Sequence, residues 1–223
     1  MKERTDAAAA PLTWTVVIPV KAPAVGKTRL TPALADDARV LLARAFALDT
    51  IAAARAADSV ERVVVVGDDP TLADGAEFLA EPGGDERGMR SAIRHGIAHV
   101  RSGAARDVAV AVLLGDLPGL RPPELDAALK AASRHPLAFV RDADGTGTTL
   151  ATAAPEAAFE PRFGPDSAAR HVAAGFVELD ASAAPGLTRD VDTADGLEAV
   201  LHHGVGDHTA EAVARLADRK GTS

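Results

Sequence analysis

Short runs of β-branched residues alternate with helix-length stretches along almost the whole chain, and that alternation leaves few folds open. Thr15–Val20 reads TVVIPV, Glu61–Gly67 contains four consecutive valines, and Val108–Leu114 reads VAVAVLL. Apolar runs of this kind suit strands buried on both faces. The spacing between them predicts helices over Asp36–Ala56 and Met89–Arg101, and a third from the prolines at 122 and 123, which suit a first turn, to Ser133. Asp68-Asp69-Pro70 marks a turn and helix start, and Glu81–Gly88 a loop. Leu137–Arg141 and Thr148–Thr152 read as strands around the turn Asp142–Gly147, and Phe176–Leu179 as a short one. Helices are predicted from a cap at Asp166 or Ser167 to Ala174, over Thr193–His203, and from about Thr209 to Asp218. The order of elements predicts an α/β fold: a three-layer sandwich whose mostly parallel central sheet is covered on both faces, with Val108–Leu114 at its centre. One domain is expected over residues 13–218, with tails at 1–12 and 219–223.

Composition limits the function. The chain has no cysteine, which excludes disulfides, iron–sulfur clusters and thiolate zinc sites. Without an apolar leader, a cytoplasmic protein is expected. No apolar run approaches the ~20 residues that span a bilayer. A net charge of −8 with 3% aromatic residues argues against a nucleic-acid partner, since backbone phosphates are bound by Lys and Arg. Protein partners leave no mark in the sequence. Any phosphate must be bound by a local concentration of positive charge.

Such a concentration follows the first strand, where Lys21, Lys27 and Arg29 stand within nine residues. Lys supplies a point charge and Arg a planar fork for a triphosphate. Taken alone, a solvated basic loop fits equally well. Gly26-Lys27-Thr28 suggests a phosphate-binding P-loop, but Lys21 occupies the position of that motif's first glycine. A second segment, Leu114-Gly115-Asp116-Leu117-Pro118, places a carboxylate just past the most apolar strand. There it is costly unless paired, hydrogen-bonded or bound to a cation such as Mg²⁺. In Arg189-Asp190-Val191-Asp192-Thr193, alternation sends Asp190 and Asp192 to one side. Either can add a carboxylate to the same cation, and Asp192 can instead cap the next helix. A fourth pair, Gly145–Thr149 with Phe163–Ser167, offers hydroxyls and N–H groups for a small anion. His95 and His99 are four apart, which suits a metal, but no third ligand is near. These two and His171, His202, His203 and His208 read as surface helix positions. Trp14 reads as a packing residue at a strand start.

As an ordered set over about Trp14–His203, VVIPVKAPAVGKTRL, LLGDLPGL, GTGTTL, FGPDSAARH and RDVDTADGL resemble the guanylyltransferase family of coenzyme F420 biosynthesis. That family acts on phosphoenolpyruvate or 2-phospho-L-lactate. The resemblance implies a nucleotidyltransferase fold of the GT-A-like kind, shared with molybdenum-cofactor guanylyltransferases. It implies GTP and a small phosphorylated carboxylic acid as substrates, with pyrophosphate as a product and Mg²⁺ as cofactor. By the same resemblance Lys21, Lys27 and Arg29 hold the GTP phosphates and act in catalysis, with Gly88 at the nucleotide. Asp116 binds the cation, helped by Asp190 or Asp192, and Thr149, Gly164 and Ser167 hold the acceptor. Phosphoenolpyruvate is the expected acceptor. One segment departs: Gly88-Met89-Arg90-Ser91 stands where the family often has Gly-Leu-Asn-Ala, so Arg replaces Asn beside the nucleotide. A molybdenum-cofactor or sugar-phosphate nucleotidyltransferase, or a GTP-binding regulator on the same fold, remains the alternative.

Overall fold

Val16 and Ile18 face one way from the first strand and Val17 the other, and all three are fully buried. The same alternation runs through Val63 to Val66 and through Ala109 to Leu113. Strands apolar on both faces need a cover on each, and the chain supplies it. The computed structural model describes residues 12–20, 36–83, 88–102 and 108–221. Its strands are β1 (Trp14–Pro19), β2 (Val60–Gly67), β3 (Glu77–Ala80), β4 (Ala109–Leu113), β5 (Leu137–Arg141), β6 (Thr148–Ala153) and β7 (Val177–Glu178). Its helices are α1 (Asp36–Arg55), α2 (Met89–Ser102), α3 (Pro122–Ala132), α4 (Ser167–Ala173), α5 (Pro185–Thr188), α6 (Ala194–His203) and α7 (Asp207–Gly221).

The strands form one seven-stranded sheet in the order β3-β2-β1-β4-β6-β5-β7. β4 is the middle strand, as its apolar sequence predicts. β1 pairs in parallel with β2 and β4, β2 with β3, and β5 with β7. β6 runs antiparallel to both of its neighbours, β4 and β5. The sheet is therefore mostly parallel, and the start of β6 lies level with the carboxyl ends of β4 and β5. On one face Ala47 and Ile51 of α1, Leu125 and Leu129 of α3, and Leu187 of α5 complete a core. On the other, Ile93, Ile97 and Val100 of α2 and Ala168 of α4 do so. A third cluster joins Leu42 and Phe46 of α1 to Val191, Val200 of α6 and Ala212 of α7.

Most elements stand within a residue or two of their predicted ends. The sequence missed β3, whose four half-exposed residues EFLA are too short to show a period. It also missed α5, a single turn held on Pro185. The start expected at Asp68-Asp69-Pro70 is a three-residue 3₁₀ turn, Pro70–Leu72, capped by Asp69 accepting from the Thr71 N–H. Leu12, read as part of a tail, packs partly buried on the first core, and α7 begins two residues before Thr209 and runs past Asp218.

Candidate active site

Ligands in open α/β sheets bind beyond the carboxyl ends of the strands, and there the chain brings three acidic residues together, Asp116, Asp190 and Asp192. β4 ends at Leu113, and each of the next turns is tied to a different element. The Leu114 N–H donates to the Thr149 carbonyl at 2.9 Å, and the Val191 N–H to the Asp116 carbonyl at 3.1 Å. The Leu117 N–H donates to the buried Thr50 hydroxyl of α1 at 3.0 Å. The Gly206 N–H, just before α7, donates to the Pro118 carbonyl at 2.9 Å. Buried backbone groups satisfied in this way leave the loop little freedom. Asp116 is thus fixed by its main chain.

The bond from Val191 also places its two neighbours. Val191 is fully buried in the third core cluster, so Asp190 and Asp192 lie astride Asp116. One carboxylate oxygen from each of Asp116, Asp190 and Asp192 lies within 4.8 Å of the others. Oxygens on one octahedral Mg²⁺ at about 2.1 Å lie about 3 Å apart when adjacent and about 4 Å apart when opposite, so closing by about 1–2 Å, within reach of a side-chain rotation, suffices. The set fits a divalent cation. Asp192 does not cap α6: Thr193 does, its hydroxyl accepting from the Gly196 N–H at 3.0 Å. That leaves both acidic residues beside Asp116 rather than one.

The predicted acceptor segments also meet. The Ala168 N–H of α4 donates to the Thr146 carbonyl at 3.1 Å, and the Thr148 hydroxyl meets His171 Nδ1 at 3.0 Å. These contacts set Gly164 and Ser167 against the start of β6. Thr149 is the extra residue of a β-bulge: Val140 pairs with Leu150 and Arg141 with Thr148. Its hydroxyl is fully buried and has no hydrogen-bond partner among the described residues. The helix start offers less than its sequence suggests. The Ala168 N–H is already engaged, and Asp166, the residue before α4, is left-handed at φ 52° and makes no side-chain cap. The Gly88 N–H is likewise taken, by Glu81 Oε1 at 2.8 Å. Lys21, Lys27 and Arg29 lie outside the described residues.

The structure overturns one expectation among the histidines. His171 is not a surface residue but is fully buried, stacked on Phe139 at 5.4 Å between ring centroids and met edge-on by Phe163 and Phe176. The Arg162 N–H donates to its Nε2 at 2.9 Å, so Nδ1 carries the proton and donates to Thr148. Burial lowers its pKa to about 4, and the charges of Arg170 and Arg162 add to this. The unfolded chain binds that proton near pH 6.5, so the contribution of the neutral ring is complete above pH 6.5. It fades as pH falls, until about pH 4. By pH 5 the loss is about 2 kcal/mol. His171→Phe removes the titration and should flatten the profile. Denaturant unfolding of both proteins at pH 7.5 and pH 5 checks this, and equal losses would exclude His171 as the source.

Two residues near the site left no signal in the sequence. Thr50 lies inside a long helix, where a hydroxyl ordinarily bonds back to the preceding turn; here it donates to the Phe46 carbonyl and still accepts from Leu117. Arg170 reads as one more charged residue of α4. With Arg90, Arg94 and Arg162 it edges a cleft of about 870 Å³ between α2 and α4, floored by Phe159 and Phe163.

Comparison with known proteins follows the same lines. Residues 14–218 match the family model described as guanylyl transferase CofC like. Phosphoenolpyruvate guanylyltransferase of Streptomyces scabiei is 50% identical over 210 residues, covering 91% of this chain and 97% of its own. The enzyme of that name from Sanguibacter keddieii is 46% identical, over 92% and 86% of the two chains. Among solved structures, 4-diphosphocytidyl-2C-methyl-D-erythritol synthase superposes with a TM-score of 0.53 at 13% identity, covering 86% of this chain and 99% of its own. CMP:2-keto-3-deoxy-manno-octonic acid synthetase, complexed with CTP, gives 0.50 at 17% identity over 84% and 96%. Both are similar in fold alone.

Proposed function

Because this chain belongs to the CofC-like guanylyl transferase family, we propose that it joins GTP to phosphoenolpyruvate, giving enolpyruvyl-diphospho-5'-guanosine and pyrophosphate. The observation that carries this reading is the convergence of Asp116, Asp190 and Asp192 at the carboxyl edge of the sheet, their oxygens within 4.8 Å. In the reaction an acceptor phosphate oxygen forms a bond to the α-phosphorus of GTP as the bond from that phosphorus to the bridging oxygen breaks. The leaving oxygen departs on pyrophosphate. A phosphate monoester is already ionised near neutral pH, so no strong general base is needed. Alignment and charge neutralisation then carry the rate.

Asp116 would hold Mg²⁺ with Asp190 and Asp192, and the bound ion would offset charge on the phosphoryl oxygens. Lys21, Lys27 and Arg29 would bind the triphosphate as point charges and a fork, and Gly88 would border the nucleotide. Thr149, Gly164 and Ser167 would border the acceptor. The buried Thr149 hydroxyl supports that assignment, because a lone buried polar group is stable only with a partner. Phosphoenolpyruvate is preferred to 2-phospho-L-lactate by analogy with the similar enzymes. The two differ at one carbon, so packing can separate them by only ~1–3 kcal/mol.

Pyrophosphate release tests the reading, with GTP and Mg²⁺ and with either acceptor. Release should need the divalent ion, favour GTP over ATP, and be up to about 100-fold more efficient with phosphoenolpyruvate. Equal kcat/KM for the two acceptors would remove the preference. No release with either, or release only with a sugar phosphate, would overturn the proposal.

A further inference from the structure

Thr50 stands inside α1, and its hydroxyl donates to the Phe46 carbonyl at 2.8 Å, one turn back in the same helix. That uses its single proton and leaves its lone pairs free to accept from outside the helix. It accepts from the Leu117 N–H at 3.0 Å. This N–H belongs to the same planar peptide as the Asp116 carbonyl, and that carbonyl accepts from the Val191 N–H at 3.1 Å. The Val191 N–H in turn belongs to the peptide that begins at Asp190. Three hydrogen bonds therefore run in one direction, from the Asp190–Val191 peptide through the Asp116–Leu117 peptide and the Thr50 hydroxyl to the frame of α1. Thr50, Leu117 and Val191 are all fully buried, so water does not compete for these groups. Bonds in such a chain polarise and strengthen one another.

We propose that Thr50 is a positioning residue of the acidic site: through the peptide that joins Asp116 to Leu117, it sets the spacing of the Asp116 and Asp190 carboxylates that a divalent cation requires. This rests on the reading of Asp116, Asp190 and Asp192 as a cation site. Their oxygens lie within 4.8 Å of one another, so a small rotation of either segment decides whether they converge on one ion. A planar peptide held at one end can turn about its neighbouring bonds, and one held at both ends cannot. Phe46 adds a second tie, since it shares the buried cluster of Val191. A single turn of α1, from Phe46 to Thr50, thus supports both segments that carry the carboxylates. Valine in place of Thr50 keeps the shape and removes the acceptor. The buried Leu117 N–H must then turn toward another partner, and Asp116 moves with it.

Mn²⁺ binding, followed by the electron paramagnetic resonance of the free ion, tests this on the full chain without substrates or turnover. Thr50→Val should weaken Mn²⁺ by about tenfold, as loss of a group that orients metal ligands does. Thr50→Ser keeps the hydroxyl and should stay within about twofold of wild type. Thr50→Cys, with a weaker acceptor of similar size, should fall between, and it carries the test if the valine protein does not fold. Thr152→Val is the control. It removes a buried hydroxyl that donates to the Ala138 carbonyl at 3.2 Å, deep in the sheet opposite Ala111 of β4. It should lower the melting temperature as Thr50→Val does and leave Mn²⁺ affinity unchanged. Native Mn²⁺ affinity in Thr50→Val and Thr50→Cys, or an equal loss in Thr50→Ser or in Thr152→Val, would overturn the proposal. Asp116→Asn separates it from the reading beneath: if that variant binds Mn²⁺ as the wild type does, the cation site itself is wrong, and the positioning role falls with it.

Discussion

Asp116→Asn is expected to leave the fold intact and to lower turnover by about 100-fold or more, the scale of losing a main electrostatic stabiliser. Intact folding follows from how the loop is held. Val191, Thr50 and Gly206 bind the backbone of residues 116 to 118, and none of those bonds uses the Asp116 carboxylate. Asn keeps the size of the side chain and loses the charge that offsets a divalent cation. The measurement is pyrophosphate release at saturating substrates, together with a melting temperature. A variant with near-native turnover in Mg²⁺ would remove Asp116 from the metal site. A collapsed melting temperature would show instead that the carboxylate is structural.

The second large effect is on stability. Asp49→Ala should cost about 3–5 kcal/mol, because Asp49 caps a helix that begins about 160 residues later. Its carboxylate accepts from the His208 N–H at 3.0 Å and from the buried Thr209 N–H at 2.9 Å, the opening turn of α7. An anion there also meets the positive end of the helix dipole. Alanine would leave both donors without a partner in a mostly buried place. A side chain at Gly206 would collide with the Asp49 carboxylate, so the close approach is built into the backbone as well. The melting temperature should fall by about 10 °C, and Asn, with one acceptor oxygen, should lose roughly half as much. Equal stability of all three proteins would show that solvent satisfies these donors. Turnover should also suffer near the melting point, since α7 packs in the cluster that buries Val191, between Asp190 and Asp192.

Much of the site was legible from local spacing. Asp116 stands out because a carboxylate ends the most apolar strand, and Asp190 and Asp192 because alternation sends them to one side. Their meeting was a guess from sequence, since nothing in either segment encodes the bond from Val191 to Asp116. The pairing of Gly145–Thr149 with Phe163–Ser167 was likewise read, but the bulge at Thr149 and the engaged N–H of Ala168 were not. A bulge depends on the partner strand's register, which single-strand alternation does not carry. The imidazole of His171 looked like a surface group because α4 is short, polar at several positions and too brief to define a face. Three phenylalanines, at 139, 163 and 176, decide its burial.

By itself the sequence determined the two-face burial of β1, β2 and β4, the covering helices, and the carboxyl edge where acidic residues gather. Apolar periodicity is written within windows of about ten residues, so it survives without knowledge of the fold. The tertiary structure alone decided that β6 enters antiparallel between β4 and β5, that Asp49 caps α7, and that Thr50 holds Leu117. Each of these joins residues that stand far apart in the chain. Their energies arise only when sheet order and helix packing bring the partners within hydrogen-bond or charge range, and no local pattern records that distance.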